Sequence, residues 1–227
     1  MNSWGTPADW LVAIGTLTLA AVAVFQETIR GWFYRPAFRV SAKTEPPDCV
    51  WVPFTRPDGT FVSDSIYLRL WIENTGNATA RNVEVYAKEL RRRKADKTLE
   101  RVAAFPPMNL KWANLPGGQI YFPIISPEMG KHCDIAHVAD PANRTALGEA
   151  PPVPYPANKT AMAFDLMVAP NHRGHIVGPG EYELEVLVAA ENARPLRKIV
   201  KLRLTGDWYA EEQRMLRDGI GIAVEDP

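Results

Sequence analysis

Cysteine is nearly missing from this chain: Cys49 and Cys133 are the only two in 227 residues. Two thiols so far apart in sequence build no disulfide framework, which fits a reducing compartment. Net charge is missing as well. Lysine and arginine together number 26, and so do aspartate and glutamate. No overall basic field points to nucleic acid and no RNA- or DNA-reading motif is present, so no nucleic-acid partner is expected. Catalytic signatures are also absent. There is no G-x-x-x-x-G-K-S/T, no G-x-G-x-x-G, no H-E-x-x-H and no G-x-S-x-G. Asp134, Asp165 and Asp207 have no partner legible in the sequence. Sites can assemble from distant segments, but the expectation is a non-enzyme without a cofactor.

The most telling absence is charge near the N-terminus. From Trp10 to Gln26 the chain reads WLVAIGTLTLAAVAVFQ without one ionisable side chain. A hydrocarbon core of about 30 Å takes roughly 20 apolar residues as a helix. Trp10 stands at one end of the run, and Trp32, Phe33 and Tyr34 stand at the other. At about 1.5 Å per residue the two aromatic groups lie roughly 33 Å apart, the separation of two interfacial belts. Arg30 and Arg35 flank the second belt, where Arg30 can reach headgroups or pair with Glu27. Thr6 suits an N-cap, Pro7 the first helical position and Asp9 the first turn. Pro36 stops the helix. The expectation is a helix over 7–34 in a membrane segment 7–35, after a tail at 1–6.

A cleaved signal peptide would carry a positive n-region and a small-residue cleavage site. The residues before Trp10 hold no Lys or Arg, so an uncleaved anchor is expected, rather than a signal sequence or a buried soluble helix. Arg30, Arg35, Arg39 and Lys43 all follow the apolar run. The positive-inside rule then puts the N-terminus outside and the large C-terminal part in the cytoplasm, on the inner membrane. The triplets at Asn77, Asn143 and Asn158 are chance glycosylation matches in that topology. Ala13, Thr16, Ala20, Ala23, Glu27 and Arg30 form a narrow stripe suited to self-association or to another membrane helix; the bland reading is an alanine-rich helix.

After Pro36 the period changes to two. Strands are expected over 37–42, 65–74 (SIYLRLWIEN), 80–90 (ARNVEVYAKEL), 178–190 and 196–206. A proline-rich loop with Pro46, Pro47, Pro53 and Pro57 follows the first strand. QIYFPI over 119–124 and TAMAFDLMV over 160–168 are further strands, and KHCDIAHV over 131–138 is a candidate. Residues 151–156 read as an extended connector within a long irregular insert, 91–178. After Gly206 a helical period returns, with Asp207 as N-cap and Gly219 as C′ residue. GIAVEDP reads as a loose tail.

ENTGNATARNVEV resembles the paired strands of immunoglobulin-like bacterial sandwich domains of the adhesion-module type, with Gly76 and Asn77 as the turn residues. ADWLVAIGTLTLAAVAVFQ and IRGWFYRP resemble uncharacterised bacterial single-pass membrane proteins with a β domain behind the helix. The resemblance implies a fold: a mainly β chain with an Ig-like antiparallel β-sandwich over 36–206 and a C-terminal helix and tail over 207–227. It implies no activity.

Two constellations could carry chemistry. His132, Cys133 and His137 lie close together, and His172 and His175 form an H-x-x-H pair. Imidazole and thiolate are the usual zinc ligands, so a metal-dependent hydrolase is one alternative; the other reading is hydrated surface histidines. Arg91, Arg92, Arg93 and Lys94 form the densest basic run. They suit anionic lipid headgroups or, more simply, a solvated hairpin tip. The function that fits best is a membrane-tethered adaptor or accessory subunit that binds a protein partner through its sandwich. An envelope-facing binding domain is the alternative if the topology is inverted.

Overall fold

The structure is a computed structural model. It describes residues 6–115, 118–144, 146–149, 151 and 155–227, without the side chains of 27–32. Glu27, Arg30 and Trp32 therefore lie outside the described residues, as does the middle of the 151–156 connector. Two compact units form, Met1–Arg35 and Pro36–Pro227.

The first unit is one helix, α1 (Pro7–Phe33). Its start is a reciprocal cap. Thr6 Oγ1 accepts from the Asp9 backbone N–H, while Asp9 Oδ2 accepts from the Thr6 backbone N–H (2.7 Å) and hydroxyl (2.8 Å). Orphan donors of the first turn are thereby satisfied. Thr16 and Thr18 turn their hydroxyls back onto the carbonyls of Val12 and Ile14, so neither leaves an unsatisfied donor on an apolar helix. Residues 7–26 are long and apolar enough to cross a membrane, with a mean hydropathy of 1.9 and no protein cover. Trp10, Ala13, Ala20 and Ala23 are exposed on it, as are Phe33 at its end and Tyr34 just beyond.

The second unit is mainly β. It opens with β1 (Phe38–Ser41), β2 (Cys49–Thr55), β3 (Phe61–Asn74) and β4 (Ala80–Arg93). Short strands follow: β5 (Leu99–Arg101), β6 (Met108–Asn109), β7 (Lys111–Trp112) and β8 (Phe122–Ile125). Then come β9 (Gly130–Ala139), β10 (Met162–Phe164), β11 (Ile176–Val177), β12 (Gly180–Ala190) and β13 (Ala193–Leu204). After α2 (Glu212–Arg214) and a π turn over Met215–Gly219, β14 (Ile220–Glu225) closes the chain. One antiparallel sheet runs β1-β3-β9-β10-β11, with β2 also on β3 and β7 on β9. The other runs β14-β13-β12-β4-β5, with β6 and β8 also on β4.

Alternation builds the sandwich. Ile66, Leu68, Leu70 and Ile72 of β3 turn inward to meet Val83, Val85 and Ala87 of β4 and Tyr182, Leu184, Val186 and Val188 of β12 in one core. Each buried aliphatic side chain contributes roughly 1.5–3 kcal/mol of transfer free energy.

Four expectations are corrected. The proline-rich loop contains β2. Pro53 is tolerated there because β2 pairs only with β3 and an edge strand can spare an N–H. The 91–178 stretch is no mere insert, since β9 is a central strand of the first sheet. The helix expected from Asp207 begins only at Glu212, because Asp207 pairs with Lys159 (2.6 Å) and Trp208 lies 5.0 Å from Trp51. The supposed loose tail is β14, held by β13 through its whole length, with Ile220 and Ile222 in the core.

Candidate functional site

The best-formed polar cluster lies on the outer face of the first sheet. Cross-strand pairs there are Trp71 with His132, Arg69 with Asp134 and Tyr67 with His137. His132 and His137 are five residues apart, so a regular strand would turn them to opposite faces. A bulge at Ile135 restores the parity: Leu68 pairs with Ala136 and Arg69 with Asp134, leaving Ile135 unpaired. The Ile135 carbonyl is not orphaned, because the Asp165 N–H donates to it at 2.8 Å.

That bond also delivers the Asp165 carboxylate. His137 Nδ1–H donates to Asp165 Oδ2 (3.0 Å) and Nε2–H donates to Glu149 Oε1 (2.7 Å). Both ring nitrogens are thus engaged by carboxylates. Burial works against the charged ring, but the adjacent Asp165 charge and the bonds to Asp165 and Glu149 outweigh it, and the His137 pKa is pushed up to about 10. The Tyr67 ring stacks on the imidazole at 5.2 Å, an aromatic face turned to a cation. Burial raises the Tyr67 hydroxyl, aided by Asp165. Asp134 is raised by burial and held down in part by Arg69 (2.8 Å).

A cleft of ≈ 510 Å³ opens beside this cluster, lined by Tyr67, Lys111, Glu149, Asp165, Arg173 and His175 among others. Burial lowers the His175 pKa, and its Nδ1 is buried without a partner. An imidazolium locked between two carboxylates has no lone pair to accept a proton near neutral pH. His137 therefore ties Glu149 and Asp165 to β9 as a charge-assisted clamp.

Of the histidines and cysteine weighed as a metal set, His137 and His175 line one cleft and the others lie apart. His132 Nε2 pairs with Asp48 (3.0 Å). Cys133 faces the core, its Sγ 3.3 Å from the Lys111 carbonyl. His172 Nδ1 accepts from the Gly174 N–H (3.0 Å). Among the described residues no group of three His, Cys, Asp or Glu could hold a metal ion. The acids read as solitary all have partners: Arg69 for Asp134, His137 for Asp165 and Lys159 for Asp207. Glu149, Tyr67 and the orphan of His175 carried no sequence signal, because only the fold brings them to His137.

The basic run lies at the tip of the β4–β5 hairpin: Arg91, Arg92 and Arg93 end β4 and Lys94 opens the turn. Arg91 pairs with Glu89, Arg93 with Glu183 (2.7 Å) and Lys94 with Glu100 (3.1 Å). Arg92 donates to the Pro179 carbonyl and lies over the Tyr182 ring.

No family model matches the chain, and no curated protein matches it.

Proposed function

We propose that the chain is a single-pass inner-membrane protein whose β domain is a non-enzymatic, Ig-like binding module for a protein partner. The observation that carries the reading is the 7–26 segment. A helix of this length and hydropathy with every described side chain exposed is satisfied in hydrocarbon, where its backbone is internally bonded. The basic residues after it support an outside N-terminus and a cytoplasmic domain.

The locked imidazolium supports binding over catalysis. The sheet edges support recognition by side chains rather than by strand addition. Thr44 Oγ1 both accepts from the Ile222 N–H and donates to its carbonyl on β14, and Pro123 sits in β8; both blunt an edge. The cleft beside His137, with exposed Lys111 and Arg173 at its rim, suits an acidic group of the partner.

Topology is tested with Ala95→Cys, at the exposed β4–β5 turn. The native thiols are buried, so the unsubstituted protein is a silent control. A membrane-impermeant thiol reagent is expected to label Ala95→Cys only after permeabilisation. Labelling in intact cells would move the domain to the envelope. Lys111→Glu with Arg173→Glu is expected to lose the partner from detergent extracts while the fold is retained; an undiminished complex would place the binding surface elsewhere.

A further inference from the structure

We infer that the pole of the β domain at which the chain enters is a lipid-contacting tip, with Ile124 and Met129 seated in the bilayer interface. This rests on the membrane-anchored reading of α1.

Topology gathers four segments at this pole. β1 enters there, with Phe38 opposite Asn74. The β8–β9 turn is there, with Ile125 opposite Ala80 and Gly130 opposite Glu73. The β3–β4 connection, 75–79, joins them. The β12–β13 turn closes the group: the Glu191 N–H donates to the Arg81 carbonyl, and Asn192 Nδ2 donates to the Thr79 carbonyl (2.9 Å).

Two large apolar side chains protrude from this surface. Ile124 is 55% exposed and Met129 is 51% exposed. The turn that carries them is fixed, not loose. The Glu128 N–H donates to the Asn74 carbonyl (2.8 Å), the Asn74 N–H donates to the Met129 carbonyl (2.9 Å), and Glu128 holds a left-handed φ of 60°. A non-glycine residue in that region is strained, so the turn holds its shape against a local cost. Neither apolar side chain is needed by the core, which Ile125 fills from the same strand.

The occupant is lipid, and the argument is chain length. Only Tyr34, Arg35, Pro36 and Ala37 separate the end of α1 from Phe38. Fully extended, they reach about 14 Å, a tether no longer than about twice the depth of one headgroup layer. On the membrane-anchored reading, so short a tether keeps the pole at which the chain enters close to the membrane surface. Ala37 beside the tip is exposed as well. Charges around the tip nearly cancel: Arg39 pairs with Glu73 (2.7 Å), while exposed Arg81 lies near exposed Glu191. Contact is therefore apolar and interfacial rather than driven by anionic headgroups.

The test uses the full chain in phosphatidylcholine vesicles. An environment-sensitive fluorophore is placed on Met129→Cys, on Ile124→Cys and, at the far pole, on Ala95→Cys. Expected are a blue-shifted emission and quenching by doxyl-labelled lipid at 129 and 124, with no quenching at 95. Aqueous emission at 129 and 124 from protein that still sediments with vesicles after alkaline carbonate would overturn the lipid tip and leave the anchor standing. Protein released by carbonate would overturn both. Replacing half the lipid with phosphatidylserine should leave the quenching unchanged; a several-fold increase would refute the apolar mode of contact.

Discussion

The side-chain amide of Asn74 donates to the carbonyl of Ile125 at 2.9 Å, in a residue with no solvent exposure. The same amide donates to the Ala78 carbonyl (2.8 Å), and its Oδ1 accepts from the N–H groups of Ala37 and Gly76. One side chain therefore closes β1, the β3–β4 connection and β8 onto a single pole. Asn74→Ala would strand two backbone donors and two acceptors. Each buried orphan costs about 1–3 kcal/mol and some would find water, so a loss of roughly 3 kcal/mol is expected. The urea midpoint would measure it, and a change within error would remove Asn74 from this role.

His137 makes stability pH-dependent. Its folded pKa of about 10 stands above the ordinary imidazole value of 6.5. The folded state then binds the proton more tightly. The contribution is complete below pH 6.5 and is lost as pH rises towards 10. Urea unfolding across that window should show falling stability in the native protein and a flatter profile in His137→Phe. That variant also leaves Asp165 and Glu149 buried without their cation, at a cost of about 3–5 kcal/mol.

Gly174 has no room for a methyl group. A Cβ there would stand 1.8 Å from the Ala104 carbonyl oxygen. Gly174→Ala should displace the loop before β11 and cost about 1–3 kcal/mol. Faster limited proteolysis within 165–180 would report it, and an unaltered digest would show that the loop relaxes freely.

Removal of residues 220–227 should do more than trim an end. It strips β14 from β13 and takes Ile220 and Ile222 out of the core. The bared β13 edge invites pairing with other chains. Size-exclusion chromatography is expected to show aggregation, and a monodisperse, cooperatively unfolding product would contradict it.

Both thiols should be silent until the domain unfolds. Burial pushes Cys49 up to about 12 and Cys133 well above its ordinary value. They pair with opposite flanks of β3, Cys49 across from Leu68 and Cys133 across from Leu70. Two strand spacings of about 4.8 Å keep them roughly 10 Å apart, too far for a disulfide. Lack of a bridge therefore does not identify the compartment. Thiol titration in native buffer and in urea should give no reaction and then two equivalents.

Much of the fold was legible because its signals are local. The cap at Thr6–Asp9, the apolar run and the alternation of β3, β4, β12 and β13 depend on near neighbours alone. The shorter strands were hidden for identifiable reasons. Prolines masked β2, and the helical pattern before Gly219 made the Ile220, Ile222, Val224 alternation look like a tail. ENTGN offers Gly76 and Asn77 as turn residues, and both lie in the β3–β4 connection. Neither takes the left-handed backbone; Asn82 does, and the motif's work falls to the Asn74 side chain.

The histidine cluster illustrates the division most clearly. The sequence by itself determined a mainly β domain behind a membrane-length helix, because hydrophobic periodicity and length are properties of contiguous residues. It placed His137 beside His132 and Cys133 and offered a metal. Tertiary structure alone decided otherwise. A single-residue bulge at Ile135, stabilised by a backbone bond from Asp165 thirty positions away, inverts the facing of every residue after it. Cys133 goes to the core, and His137 goes out to Asp165 and Glu149. Side-chain parity is a property of strand register, and register is set by the partners a strand meets in space.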